Sequence, residues 1–190
     1  MFLYVIRHGE SETNLSRHWT GWNDVNLTEK GRKDAERAGA MLQGIPFDQI
    51  YSSDLTRALH TAQIAIPGCQ PKTTPLLREI NVGDLAGNPI DCVTSEQRKE
   101  FARVGYGARN GESQEAFEHR IQTFLTEVAK QDHHKAAAFA HAGWLRGMLD
   151  LVVGSVLPRD AVCCNNCTVA VFEYTGTKWR LHSWMNLMDE

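Results

Sequence analysis

The stretch Leu3-Tyr4-Val5-Ile6-Arg7-His8-Gly9-Glu10 decides how the rest of the chain is read. Four apolar residues rich in β-formers make a buried strand. An arginine, a histidine and a glycine follow without a gap. Gly9 permits a tight or positive-φ turn, so Arg7 and His8 can project from the strand's carboxyl end. In open α/β sheets that end is where ligands bind. An arginine beside an imidazole there suits an anion.

The same plan recurs far downstream. Residues 136–140, AAAFA, read as a short buried strand although alanine favours helix. His141-Ala142-Gly143 then opens a helix with Leu145, Met148, Leu149 and Val152 on one face and Gly154 as its C-cap.

Between these two points, residues 11–26 form a polar loop carrying Asn14, Trp19, Thr20, Gly21 and Trp22. Trp22 is expected to lid the core, while Trp19 either lids the core or lines a pocket. Thr28 caps a helix whose face is Ala35, Ala38, Gly39 and Leu42, ended by Gly44 and Pro46. Residues 47–52 make a strand, and Ser53-Asp54 cap a helix running to about Ile66. Arg57 therefore lies in a first turn, where a cation is unfavourable unless an anion is near. Taken alone, it reads as a solvated surface arginine.

Residues 72–76 make another strand, and 77–87 a loop in which Glu79 sits among Leu77, Ile80 and Val82. A helix over 94–104, a mobile Gly-rich connection over 105–111 and a helix capped by Ser113 follow. A hairpin over 168–174 and 178–184 closes the chain. Strands alternating with helices give an α/β fold: a three-layer α/β/α sandwich with a mostly parallel, mixed central sheet, in a single domain over residues 1–190.

Composition narrows the class. Hydrophobic residues make up 42% and charged residues 23% of the 190, with net charge −3 and a pI near 6.2, so no nucleic-acid footprint appears. No apolar run approaches the roughly 20 residues of a membrane span, and no leader precedes the first strand, so the expected location is cytoplasmic. Five cysteines, an odd number, fit a reducing compartment. Cys163, Cys164 and Cys167 read either as a metal or redox site or as small hydrophobes leading into a strand. Four zinc ligands cannot be counted there.

Arg7, His8, Arg57, Glu79 and His141 each fall where a strand ends or a helix begins, so one crevice can collect them. Two arginines and two imidazoles suit a dianionic phosphoryl group. Histidine can be the nucleophile of a covalent step, and a glutamate near the leaving oxygen can act as general acid.

Residues 3–14, LYVIRHGESETN, resemble the opening motif of the histidine phosphatase superfamily, phosphoglycerate-mutase-like branch. Thr20-Gly21-Trp22-Asn23-Asp24 with Leu27-Thr28-Glu29-Lys30-Gly31 is similar to its GW-x-D-x-x-LT-x-x-G stretch. Residues 51–62 resemble its second arginine motif, 77–84 its acid loop, and His141-Ala142-Gly143 its second histidine. Five such matches in family order run along nearly the whole chain.

The resemblance implies that His8 is the nucleophile and that Arg7, Arg57 and His141 grip the phosphoryl oxygens. Asn14 would bond near the same group, Glu79 would be the acid, and Thr20 and Gly21 would be weaker substrate contacts. It implies no metal and no cofactor. Asp84-Leu85-Ala86-Gly87 departs from the D/E-W-E-G that many relatives carry, which touches the pocket lining only. The short interval between Glu79 and His141, and a resemblance of residues 109–113 to the GGES-type lead of the family's small phosphatases, favour hydrolysis over mutase transfer. A phosphoprotein (phosphohistidine) phosphatase or signalling module on the same fold is a further alternative. The expected partner is a small phosphorylated substrate, with no nucleic acid and no membrane. The oligomeric state stays open, a homodimer among the options.

Overall fold

The structure, a computed structural model, describes residues 1–155, 157–158 and 161–187. Its strands are β1 (Phe2–Arg7), β2 (Gln49–Ser52), β3 (Lys72–Thr73), β4 (Lys135–Ala140), β5 (Val169–Tyr174) and β6 (Trp179–Met185). The helices are α1 (Glu12–Leu15), α2 (Glu29–Leu42), α3 (Thr56–Ala65), α4 (Ser95–Val104), α5 (Gln114–Ala129) and α6 (Ala142–Val153). The six strands form one sheet in the order β3-β2-β4-β1-β5-β6. β1, β2, β3 and β4 run parallel, β5 runs antiparallel to β1 and β6 antiparallel to β5, so the sheet is mixed and mostly parallel.

Side-chain alternation assigns the layers. Leu3 and Val5 of β1, with Ala136, Ala138 and Ala140 of β4, pack against Phe117, Ile121, Phe124 and Leu125 of α5 and Trp144, Leu145 and Met148 of α6. Ile6, Ala137, Phe139 and Val171 face the other way, onto Leu42 of α2 and Ala62 and Ala65 of α3. This is the three-layer sandwich. β4 lies between β2 and β1 with Ala136–Ala140 fully buried, and its small side chains let helices cover both faces closely. No helix among the described residues is long and apolar enough to cross a membrane.

Several local expectations are corrected. Residues 47–52 shorten to Gln49–Ser52, and 72–76 to a two-residue strand, because Pro75 starts a 3-10 turn over Pro75–Leu77 capped by Thr74. The 11–26 loop contains α1, closed by a capping box between Ser11 and Asn14. Ser53-Asp54 does not cap α3. Its N-cap position is Leu55, and the carboxylate of Asp24, distant in sequence, accepts from the Thr56 amide at 2.7 Å and from the Thr56 hydroxyl at 2.6 Å.

The 105–111 connection is not a loose one. Tyr106 is buried, its amide donates to the Glu112 carbonyl at 2.7 Å, and its own carbonyl accepts from Arg109 and Gly111. Gly9 is not in the positive-φ region. It is needed for room, since a Cβ there would strike the Gly31 carbonyl of α2.

Candidate active site

Register builds the site. β1 and β4 are parallel neighbours with Arg7 opposite Ala140, so both chains leave the sheet side by side. The His8 amide donates to the Ala140 carbonyl at 3.0 Å. The rings of His8 and His141 stand 5.1 Å apart, centroid to centroid. Next along, β2 delivers α3 with Arg57 in its first turn, as the sequence indicates.

His8 is buried, and its Nδ1 lies 2.7 Å from the Gly9 carbonyl oxygen. A carbonyl only accepts, so Nδ1 carries the proton and Nε2 keeps its lone pair. Burial, with Arg57 and Arg7 close by, holds the imidazole well below its usual range. His141 is depressed in the same way, by burial first and then by Arg57, His8, Arg120 and Arg7. Neither of its ring nitrogens has a hydrogen-bond partner among the described residues.

Both arginines are mounted by backbone carbonyls. Arg57 donates Nη1 to Asn23 at 2.9 Å and Nη2 to Gly21 at 2.8 Å, while Nε has no partner among the described residues. Burial lowers it to about 10, with Glu79 and Asp24 opposing that shift. Arg7 donates to the Cys164 carbonyl, again with Nε unpartnered among the described residues, and burial lowers its pKa too. Two guanidinium groups removed from solvent, with only Glu79 and Asp24 as nearby carboxylates among the described residues, make an electropositive place that is costly unless an anion shares it. Gly9 helps tie the two together: its amide donates to the Thr61 hydroxyl, which donates to the Arg57 carbonyl.

Glu79 is held through both oxygens and through its backbone. Oε1 accepts from the Ile80 amide at 3.0 Å, and Oε2 from the Gly143 amide at 3.1 Å, at the N-terminus of α6. Its carbonyl accepts from the Trp22 indole at 2.7 Å and from Arg120 Nη2 at 3.1 Å. Arg120 also holds the Leu76 and Arg78 carbonyls and pairs with Glu112, which in turn accepts from the Asn81 amide. The loop carrying Glu79 is thus clamped from α5.

Arg7, His8, Asn14, Thr20, Gly21, Arg57, Glu79 and Gly143 line one cavity of about 310 Å³, with His141 buried beside His8. Asn14 Oδ1 is engaged by the Ser11 amide and Asn166 Nδ2, and the same Nδ2 also donates to the His8 carbonyl. Thr20 shares a hydroxyl contact of 2.6 Å with Thr13. A larger hollow of about 630 Å³, bordered by α5, α6 and the hairpin, is lined by no histidine, carboxylate or arginine. Chemistry, not size, picks out the first.

One expectation fails here. Trp22 does not lid the core: it is 38% exposed, with the Arg78 guanidinium 4.8 Å from its ring centroid and its N–H on the Glu79 carbonyl. Of the three clustered cysteines, Cys164 and Cys167 are buried but Cys163 is exposed, and all are free. No cluster suited to a metal occurs among the described residues. Asp24, Glu112, Arg120 and Asn166 were not expected from sequence as site residues. The GW-x-D resemblance touched Asp24 and the resemblance of residues 109–113 touched Glu112, neither as a site residue.

The family model of the histidine phosphatase superfamily (branch 1) matches residues 3–187. A Yersinia pestis protein described as probable phosphoglycerate mutase GpmB is 31% identical over 194 aligned positions, covering 96% of this chain and 89% of that protein. The crystal structure of TTHB049 from Thermus thermophilus superposes with a TM-score of 0.80 at 29% identity, covering 98% of this chain and all of that one. A candidate alpha-ribazole-5'-P phosphatase of Escherichia coli, at 24% identity, shares the fold with a TM-score of 0.80, covering 96% of this chain and 94% of its own.

Proposed function

The chain belongs to the histidine phosphatase superfamily, and we propose that it is a phosphomonoester hydrolase acting on a small phosphorylated metabolite through a phosphohistidine. The single observation that carries this reading is the 2.7 Å contact of His8 Nδ1 with the Gly9 carbonyl, which assigns the proton to Nδ1 and leaves the Nε2 lone pair free beside two guanidinium groups.

In the first step the Nε2 lone pair attacks phosphorus as the bond to the leaving oxygen breaks. That oxygen departs with the bonding pair and takes a proton from the Glu79 carboxyl. Arg7, Arg57 and His141 stabilise the equatorial oxygens, with Asn14 bonding beside them, and Thr20 and Gly21 contact the substrate more weakly. In the second step a water attacks phosphorus and gives its proton to the Glu79 carboxylate. The P–N bond breaks, its electron pair returns to His8, and orthophosphate leaves. The buried cations supply the charge stabilisation, so neither metal nor cofactor has a part.

The relatives whose descriptions name phosphoglycerate mutases support a second reading, transfer of the same phosphoryl group to a second alcohol. Glu79→Gln tests the chemistry shared by both. It should slow phosphorylation by an alkyl phosphate by roughly 10²–10⁴-fold but phosphorylation by p-nitrophenyl phosphate far less, since p-nitrophenolate leaves without a proton. Equal slowing of both, in single-turnover measurements, would remove Glu79 as the acid. Supplying 3-phosphoglycerate with 2,3-bisphosphoglycerate separates the readings: orthophosphate release supports hydrolysis, and isomer exchange without it supports the mutase.

A further inference from the structure

We propose that the apolar wall of this cavity is a ring-binding site, so that the preferred substrate is a phosphomonoester of an alcohol bearing a flat aromatic or heteroaromatic ring with a hydrogen-bond acceptor. This deepens the hydrolase reading and rests on it.

Trp19, Phe101 and Tyr106 line the same cavity as Arg7 and His8. The Trp19 and Tyr106 rings meet edge to face at 5.9 Å, and Phe101 lies 5.0 Å from Tyr106 at a tilt of 33°. Such a cluster offers faces and edges to a further ring.

The wall is built, not draped. The Trp19 amide donates to the Asn88 carbonyl at 2.9 Å, and the Gly87 amide donates to the Trp19 carbonyl at 2.7 Å. Tyr106 is fixed by the three backbone bonds described above. Ligand binding therefore does not have to order these side chains' backbone first.

The second observation is the Trp19 indole N–H, which is buried and has no acceptor among the described residues. An indole nitrogen can only donate, and a buried donor without a partner is costly. A ligand atom that accepts there removes that cost. A glycerate or glycerol group would instead press hydroxyls or a carboxylate against aromatic faces. The cations at hand do not reverse this. Arg98 donates to the Ile90 carbonyl at 3.1 Å and lies 3.6 Å from Asp91, and the Arg146 guanidinium can stack on a ring as well as meet an oxyanion.

The test compares kcat/KM for benzyl phosphate, 3-pyridylmethyl phosphate, glycerol 3-phosphate and 3-phosphoglycerate. The ring esters should exceed the other two by at least about tenfold, and Trp19→Ala should bring benzyl phosphate to within about threefold of glycerol 3-phosphate. Because Trp19 also packs beside Val82 and Leu85, Trp19→Phe is the second variant. It keeps an aromatic ring, loses the N–H and should narrow the pyridylmethyl-to-benzyl ratio. Glycerol 3-phosphate or 3-phosphoglycerate matching the ring esters, or ratios untouched by either variant, would overturn the ring site. Labelling of His8 by p-nitrophenyl phosphate reports on the hydrolase reading separately: present without ring preference, only the ring site falls; absent, both fall.

Discussion

The Gly143 amide donates to Oε2 of Glu79 at 3.1 Å, and a methyl group added at Gly143 would collide with the other oxygen of the same carboxylate. The glycine supplies a donor and, by lacking a side chain, the space in which the carboxylate sits. Gly143→Ala should therefore push the tip of Glu79 aside and leave the helix intact, since alanine is the better helix former. We expect a loss of about 10–10² in phosphorylation by an alkyl phosphate, within the range of general-acid catalysis. The thermal midpoint should move by no more than about 3 °C. Single-turnover kinetics beside a melting curve check both, and an inactive variant that has also lost its melting transition would contradict the argument.

His8→Ala should abolish covalent labelling by a phosphomonoester while the fold persists. Acid lability and base stability of the label on the wild-type chain would mark it as phosphohistidine. Label on the His8→Ala chain would move the nucleophile elsewhere.

Asp24→Ala should act at a distance. It removes the cap of α3, worth about 1 kcal/mol of stability, and releases the start of the helix that carries Arg57. Asp24→Asn keeps an acceptor for the Thr56 amide and should recover most of the stability. Urea midpoints and KM for p-nitrophenyl phosphate are the readouts, and unchanged values for the alanine variant would deny the cap its role.

Stability should fall with acid in a stated direction. His8 and His141 resist protonation when folded, with pKa values well below 6.5. The unfolded chain takes up protons as pH drops below about 6.5, and the folded chain does not, so each histidine costs up to ~1.4 kcal/mol per pH unit until its folded pKa is reached. Above that window these two groups add no slope. Melting curves between about pH 7.5 and 5 should show it, reduced in His141→Asn. Saturating phosphate should also flatten it, because a bound dianion favours the protonated rings. A pH-independent midpoint would mean that the imidazoles charge freely in place.

Activity should survive excess chelator, because Arg7, Arg57 and His141 can carry the phosphoryl charge. A loss that added Mg²⁺ or Zn²⁺ restores would show that they cannot.

The order of the strands and of the five longer helices, the two strand ends carrying Arg7-His8 and His141, and Arg57 in a first turn were all legible in the sequence, because each depends on local periodicity and on residues a few positions apart. What holds those residues was not. The cap of α3 comes from Asp24, 32 positions before Thr56, and nothing in Ser53-Asp54-Leu55 signals that the local candidates stand aside. Arg120 carries no local signal of its role, which exists only once residues 76–79 are folded against α5. Gly9 invited a turn argument, whereas its reason is the approach of Gly31 from another element. Trp22 looked apolar enough to be covered, but its N–H and the Arg78 cation keep it at the surface.

The place of β1 in the sheet also sets a timetable. Phe2 pairs with Lys135 on one side and Glu173 on the other, so β1 waits for partners made more than a hundred residues after it. At roughly 5–20 residues per second of synthesis, that wait lasts on the order of ten seconds or more. During it, Leu3, Val5 and Ile6 have no native neighbour in the sheet, and the two histidines cannot meet. A nascent chain stalled before residue 135 should therefore be protease-sensitive in its first strand and unable to hold phosphate, and chaperone capture should concentrate on that strand.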